Sequence, residues 1–255
     1  MSHHRKRAVA TLAISLISIM FCVVAKGLDP PSLPKHTKPN TPKPHHNPRH
    51  IVAHKLTPPK TTPPVDSKPL IPAKPGKITR NEKAGIDLVE IPSGWFLMGL
   101  PKGVEFDDAY SLHKVYLGTY RIARTTVTVA QFRHYDQQSG NHYNWEARKP
   151  RWGWEQANYP MVNVTWEEAL AYCKWAGGDL PTVAEWEKAA RGTDGRVFPW
   201  GNTWDSRHCV HNAKHPEEVG SKPSGNSPYG VQDMAGNVWQ WSKDYYVRTY
   251  GSHAP

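Results

Sequence analysis

The stretch that decides the fold is residues 160–201, PMVNVTWEEALAYCKWAGGDLPTVAEWEKAARGTDGRVFPWG. Two short helices are legible in it, each with its start signal. Thr165 is followed three positions on by Glu168, and Thr182 by Glu185. At that spacing the Thr hydroxyl and the Glu side chain each satisfy a backbone N–H that the first helical turn leaves bare. In the first segment Trp166, Ala169, Leu170, Cys173 and Ala176 recur at helical spacing and define a buried stripe. Gly177 and Gly178 end it, and Pro181 stands just ahead of the next cap. In the second segment Val183, Trp186, Ala189 and Ala190 form the apolar face, with Gly192 as terminator. Phe198-Pro199-Trp200-Gly201 is too apolar for a solvated loop and is expected to pack.

Outside this stretch the composition divides the chain. All 11 Trp and all 11 Tyr follow residue 94, whereas 14 of the 24 Pro lie between residues 28 and 80. A folded domain over residues 84–255 is therefore expected, large enough to bury about 70% of its unfolded surface. The formal charge of +10 divides in the same way. Residues 1–80 carry 14 Lys/Arg against 2 Asp/Glu, a balance of +12, and residues 81–255 carry 18 against 20, a balance of −2. The basicity belongs to the tail, which lacks the stacking aromatics or basic folded face of a nucleic-acid binder. Nucleic acid is excluded as a partner on that ground, and an anionic envelope surface is favoured.

Residues 1–25 read as a signal peptide or a membrane anchor. Basic His3-His4-Arg5-Lys6-Arg7 precedes an apolar run from Ala8 to Ala25, and Val23 and Ala25 suit cleavage after Ala25. The run is also long enough to approach a bilayer span. Either fate places the domain in the periplasm or outside the cell. Residues 26–83 form a Pro/Lys/His-rich tether, in which recurrent Pro removes donors and restricts its neighbours. An extended, semi-rigid spacer follows.

Within the domain, residues 88–98 (LVEIPSGWFLM) predict a strand, a Pro-Ser-Gly turn and a second strand. Residues 103–110 are acidic and loop-like, and residues 113–122 predict a further strand. Thr128 and Gln131 form a third capping pair opening a helix that carries Phe132 and Tyr135. Trp145, Trp152 and Trp154 anchor a long loop over the body. Two Cys, Cys173 and Cys209, fall in the domain, as one disulfide or as two separate thiols. His208, Cys209, His211 and His215 have a spacing that suits zinc or an incidental solvated loop.

Six pieces in order carry a family resemblance. They are LVEIPSGWFLMG (88–99), HKVYLGTYRIARTTVTVAQF (113–132), NYPMVNVTWEEALAYCKWAGG (158–178), DLPTVAEWEKAARG (179–192), FPWGN (198–202) and SPYGVQDMAGNVWQWSKDYY (227–246). Together they resemble the formylglycine-generating enzyme, or sulfatase-modifying factor, family. The resemblance implies an irregular α+β fold related to the C-type lectins, with short helices, few strands and long loops. It implies an exported oxidase that converts a client-protein cysteine to formylglycine with copper held by two thiolates. Those thiolates belong to a segment beyond the Trp-Glu-Trp motif that this sequence does not contain, so the domain is expected to be C-terminally incomplete. Copper is accordingly not expected in this chain, and no catalytic residue is assigned. The partner is expected to be a client protein or peptide, or an envelope ligand, bound without turnover. An oxidase with an unconventional metal site, or with the missing segment supplied separately, is the alternative. For calcium the resemblance implies Asp233, Gly236, Val238 and Gln240 as one ligand set and Asn212 in a second, with Gln240 standing where the family usually has Glu. A purely structural turn is the competing explanation of the same residues.

Overall fold

The computed structural model describes residues 18–20, 23–24, 70–99 and 112–244. Most of the leader, residues 26–69 of the expected tether, the acidic stretch at 103–110 and residues 245–255 lie outside the described residues, while the rest of the expected tether includes the strand Ile78–Asn81. The strands are β1 (Ser18–Met20), β2 (Val23–Val24), β3 (Ile78–Asn81), β4 (Ile86–Ile91), β5 (Gly94–Met98), β6 (His113–Leu117), β7 (Tyr120–Ala123) and β8 (Trp239–Trp241). The helices are α1 (Val129–Ser139), α2 (Trp166–Trp175) and α3 (Val183–Arg191). Two short 3₁₀ turns, Ser206–His208 and Pro223–Gly225, complete the set. This is the mixed, loop-rich α+β architecture that the sequence implied.

The expected Pro-Ser-Gly turn at residues 92–94 is instead a kink in one long ribbon. Ile91 pairs with Tyr120 and Gly94 with Leu117, so the antiparallel register runs unbroken across the gap. The single strand expected over residues 113–122 is correspondingly two, parted at Gly118-Thr119. Pro92 has no N–H to give to the ladder, and the Ser93 N–H goes instead to the Thr119 hydroxyl at 3.1 Å. Beyond the kink β5 pairs only with β6, while β4 sits between β3 and β7 in a sheet of order β2-β7-β4-β3. A further pair runs parallel, with Ser18 opposite Trp239 and Met20 opposite Trp241.

The sheet separates two cores. Successive side chains of a strand point to opposite faces. Ile86 and Leu88 join α1, α2, Met161, Val162 and Leu180 in one cluster, and Val89 and Ile91 join Tyr120, Ile122, Ala189, Ala190 and Val231 in the other. The first core is aromatic. Phe132 meets Tyr135, Tyr143 and Trp145 edge-on at 5.3, 5.2 and 6.0 Å and stacks on Tyr172 at 5.9 Å. The Trp-bearing loop does fold over the body. Trp154 is buried, Trp145 and Trp152 pack against the cluster, and the Trp145 indole donates to Asp136 at 2.8 Å.

All three capping pairs form. Thr128, Thr165 and Thr182 each accept from the backbone N–H three residues on, and Gln131, Glu168 and Glu185 each reach back to the cap. The face of α3 differs from expectation. Ala189 and Ala190 are buried as read, but Val183 and Trp186 are half-buried, and Glu185, Lys188 and Arg191 are buried instead. Position in the fold explains this. The α3 backbone is held by the Tyr120 hydroxyl, which donates to the Glu185 carbonyl at 2.6 Å. Lys188 then points at the ribbon kink, where its Nζ donates to the carbonyls of Pro92 and Gly94 at 2.7 and 3.1 Å. Arg191 donates to the Gly99 carbonyl at 2.7 Å and pairs with Glu187. On α2 the stripe holds at Ala169, Cys173 and Ala176, Trp166 and Leu170 are only partly covered, and Tyr172 is buried as well. Phe198-Pro199-Trp200 packs as expected, with Pro199 buried and the rings of Phe198 and Trp200 stacked at 5.2 Å.

Candidate binding cleft

The start of α3, the loop over residues 210–216 and the loop running into β8 meet around a cleft of 1080 Å³. Each wall has an identifiable support. Asp244 accepts from the Val183 N–H at 2.5 Å, an acceptor placed on the bare donors of a helix N-terminus. The Trp166 indole donates to the Ser242 carbonyl at 2.8 Å and the Trp241 indole to the Val164 carbonyl at 3.1 Å. The final described segment is thereby tied to the starts of both α2 and α3. Loop 210–216 is fixed to its neighbour by the Asn237 N–H, which donates to the Val210 carbonyl at 2.8 Å.

The lining is aromatic with a basic edge. Trp152, Trp186, Trp239 and Trp241 contribute indoles, His211, Lys214 and His215 form the basic edge, and Asn212, Asn237, Gln240 and Ser242 add neutral polar groups. Among the described residues no Asp or Glu side chain lines the cleft. His215 Nδ1 lies 2.8 Å from the Pro216 carbonyl, which only accepts, so that nitrogen carries the proton. Trp239 is 59% exposed, a large apolar surface left at the rim. The volume lies just above the roughly 300–1,000 Å³ of small-molecule pockets, and the indole lining is what such pockets use to take apolar groups.

Four of the five residues assigned to metal line this cleft: Asn212, Gly236, Val238 and Gln240. Asp233 sits behind it, with its carboxylate accepting from the Gly220 N–H at 2.7 Å. Burial pushes that carboxyl up to about 6, with the charge of Glu217 adding to the rise. The Gln240 amide is committed on both ends. Its nitrogen donates to the Asp233 carbonyl at 2.8 Å, and its oxygen accepts from the Trp186 indole. Asn212, Asp233 and Asn237 all adopt left-handed backbone, with φ of 50, 55 and 60°. Short amides and carboxylates tolerate that region better than other side chains, which is the local reason this loop reads as Asp-x-x-x-Asn.

The His208–His215 stretch does not assemble a metal centre. Among the described residues no three of His, Cys, Asp and Glu converge on a common point. His208 packs on Trp200 at 5.1 Å, His211 meets Trp204 edge-on at 5.4 Å, and His215 stacks on Tyr159 at 6.3 Å. Cys173 and Cys209 are both buried and form no disulfide. Cys173 belongs to the aromatic core, while Cys209 lies against Gly236, and burial pushes the Cys209 thiol up. A raised thiol pKa is the opposite of what a thiolate ligand or nucleophile needs. The Lys188 ammonium and the Gln240 clasp were not legible in the spacing, because each depends on a partner far along the chain.

Comparison with known proteins agrees with this architecture. Residues 74–254 match the sequence profile of the sulfatase-modifying factor enzyme 1-like domain. The formylglycine-generating enzyme of Streptomyces coelicolor is 29% identical over 244 residues, covering 73% of this chain and 77% of that one. The bovine protein named inactive C-alpha-formylglycine-generating enzyme 2 is 40% identical over 106 residues, covering 36% of this chain and 35% of its own. The chain likewise spans only 29% of the mouse formylglycine-generating enzyme. Among solved structures, PvdO from Pseudomonas aeruginosa superposes with a TM-score of 0.59 at 26% identity, over 69% of this chain and 77% of that one. The chain belongs to the sulfatase-modifying factor enzyme 1-like family.

Proposed function

We propose that this chain is an exported binding member of its family, whose cleft takes an extended segment of a client protein or an envelope ligand without turning it over. The observation that carries the reading is the cleft itself, walled by four indoles, open at Trp239 and edged by Lys214 and two imidazoles. Such a surface suits a neutral or acidic segment with apolar side chains. Support for the absence of turnover comes from the thiols of the described domain. Soft copper needs paired thiolate or comparable ligands, and Cys173 and Cys209 are buried in different surroundings. The bovine relative named inactive is compatible with a member of this family that does not react. Export rests on the leader, and among the described residues no helix is long and apolar enough to cross a membrane.

A second reading is favoured by one observation, the match to the Streptomyces enzyme over 73% of this chain. On that reading the chain contributes to cysteine oxidation with a metal site assembled elsewhere. One experiment separates the two. A Cys-containing sulfatase-type peptide carrying a photocrosslinker is mixed with the protein, and the crosslinked residues are mapped. The binding reading expects adducts in residues 210–216 and 239–242 with the peptide thiol intact. Adducts elsewhere, or none, would remove the cleft as the site.

A further inference from the structure

The loop over residues 233–241 holds the oxygen donors that the family resemblance assigns to calcium, and the partners of those donors are visible. The Asp233 carboxylate accepts from the Gly220 N–H at 2.7 Å. The Gly236 carbonyl accepts from the Val238 N–H at 2.8 Å. The Gln240 side-chain oxygen accepts from the Trp186 indole. Asn237 is held in both directions by one residue, its oxygen accepting from the Glu217 N–H at 3.0 Å and its nitrogen donating to the Glu217 carbonyl at 3.2 Å. Calcium takes about six to eight oxygens, and three of the four ligands named for this loop already accept hydrogen bonds from protein donors.

Gln240 settles the matter by its orientation. Its nitrogen lies 2.8 Å from the Asp233 carbonyl, and its oxygen faces an indole N–H, which only donates. Turning the amide over would set oxygen against oxygen and N–H against N–H, so the assignment is fixed by its partners. An oxygen at the site of that nitrogen would need something positive between it and the Asp233 carbonyl.

We infer that Gln240 closes this loop as a neutral clasp in the place of a cation, joining α3 through Trp186 to the Asp233 turn. The donor set does not fit calcium, and the cleft wall stands without a divalent ion. The inference goes beyond the proposed function and is independent of what the cleft binds. It also makes a single substitution decisive. In Gln240→Glu a carboxylate oxygen meets the Asp233 carbonyl with no proton between them, so that variant acquires a need for calcium that the natural chain lacks.

The test is thermal unfolding of the full chain in a chelator and in excess calcium, for the natural protein, Gln240→Glu and Gln240→Met. A calorimetric calcium titration of the natural protein accompanies it. The natural protein is expected to unfold at the same temperature in both buffers and to give no binding heat. Gln240→Glu is expected to unfold earlier in the chelator and to regain roughly 5 °C or more at calcium levels about 100 times its dissociation constant. Gln240→Met loses both hydrogen bonds and is expected to unfold earlier with no recovery in calcium. A calcium-dependent rise in the natural protein would overturn the inference. So would a Gln240→Glu variant as stable as the natural chain in chelator. Should that variant fail to fold, the natural protein's own response to calcium still decides.

Discussion

Lys188 offers the sharpest quantitative test of the packing. Its side chain is fully buried at the ribbon kink, with Nζ donating to the Pro92 and Gly94 carbonyls. No carboxylate pairs with it among the described residues, and burial pushes its ammonium from 10.5 down to about 8. The folded state therefore binds fewer protons than the unfolded chain between those two values, and stability must rise with pH across that window. At about 1.36 kcal/mol per unit, the full difference is roughly 3 kcal/mol, of which about 2 kcal/mol is recovered between about pH 7 and pH 9.5. For a domain of this size that corresponds to roughly 4–8 °C in Tm. The assay is urea unfolding of the natural protein and Lys188→Met at several pH values, read as the difference between the two. At neutral pH the variant is expected to be less stable, since the orphaned carbonyls cost about 1–3 kcal/mol each while removal of the buried charge returns part of that. The gap should then widen by about 2 kcal/mol toward pH 9.5. Other titrating groups are common to both proteins and cancel. A gap that stays constant with pH would refute the argument that a lone ammonium fills the kink.

Three further outcomes follow from named contacts. Thr128→Ala removes the hydroxyl that caps α1 and should cost about 1 kcal/mol, a fall of roughly 2–4 °C by calorimetry. Gly236→Ala would place a Cβ 2.3 Å from the Val210 carbonyl oxygen at a φ of +81°, so a loss of about 1–3 kcal/mol is expected in urea unfolding, with altered mobility in the cleft wall. Trp239→Ala removes a ring that is 59% exposed. Its Tm should move by less than about 2 °C, while peptide affinity measured by fluorescence anisotropy should fall about tenfold or more.

The parts of this fold that were legible in the sequence are those fixed by neighbours a few residues away. The three capping pairs involve residues three apart, and all three formed with the side chains assigned to them. The Phe198–Trp200 stack was legible for the same reason, because a short apolar run has little choice but to pack on itself. The kink at Pro92 was misread as a reversal because its meaning depends on a register with residues 117–120. The buried charges of α3 were misplaced for a related reason. The apolar face read from periodicity leaves Lys188 out, and only the carbonyls at the kink, 94 and 96 residues away in sequence, draw it inward. At the site, the family resemblance pointed to four residues that line the cleft, yet nothing in the sequence could show that Gln240 answers to an indole 54 positions earlier.

The most direct test of the account is to hold the full chain with Cu(I), oxygen and a Cys-containing sulfatase-type peptide, following tryptophan fluorescence and peptide mass together. Saturable quenching with the peptide mass unchanged is the result expected of a cleft that binds without reacting. Loss of the thiol with gain of an aldehyde would contradict it, and so would a fluorescence signal that never responds to the peptide.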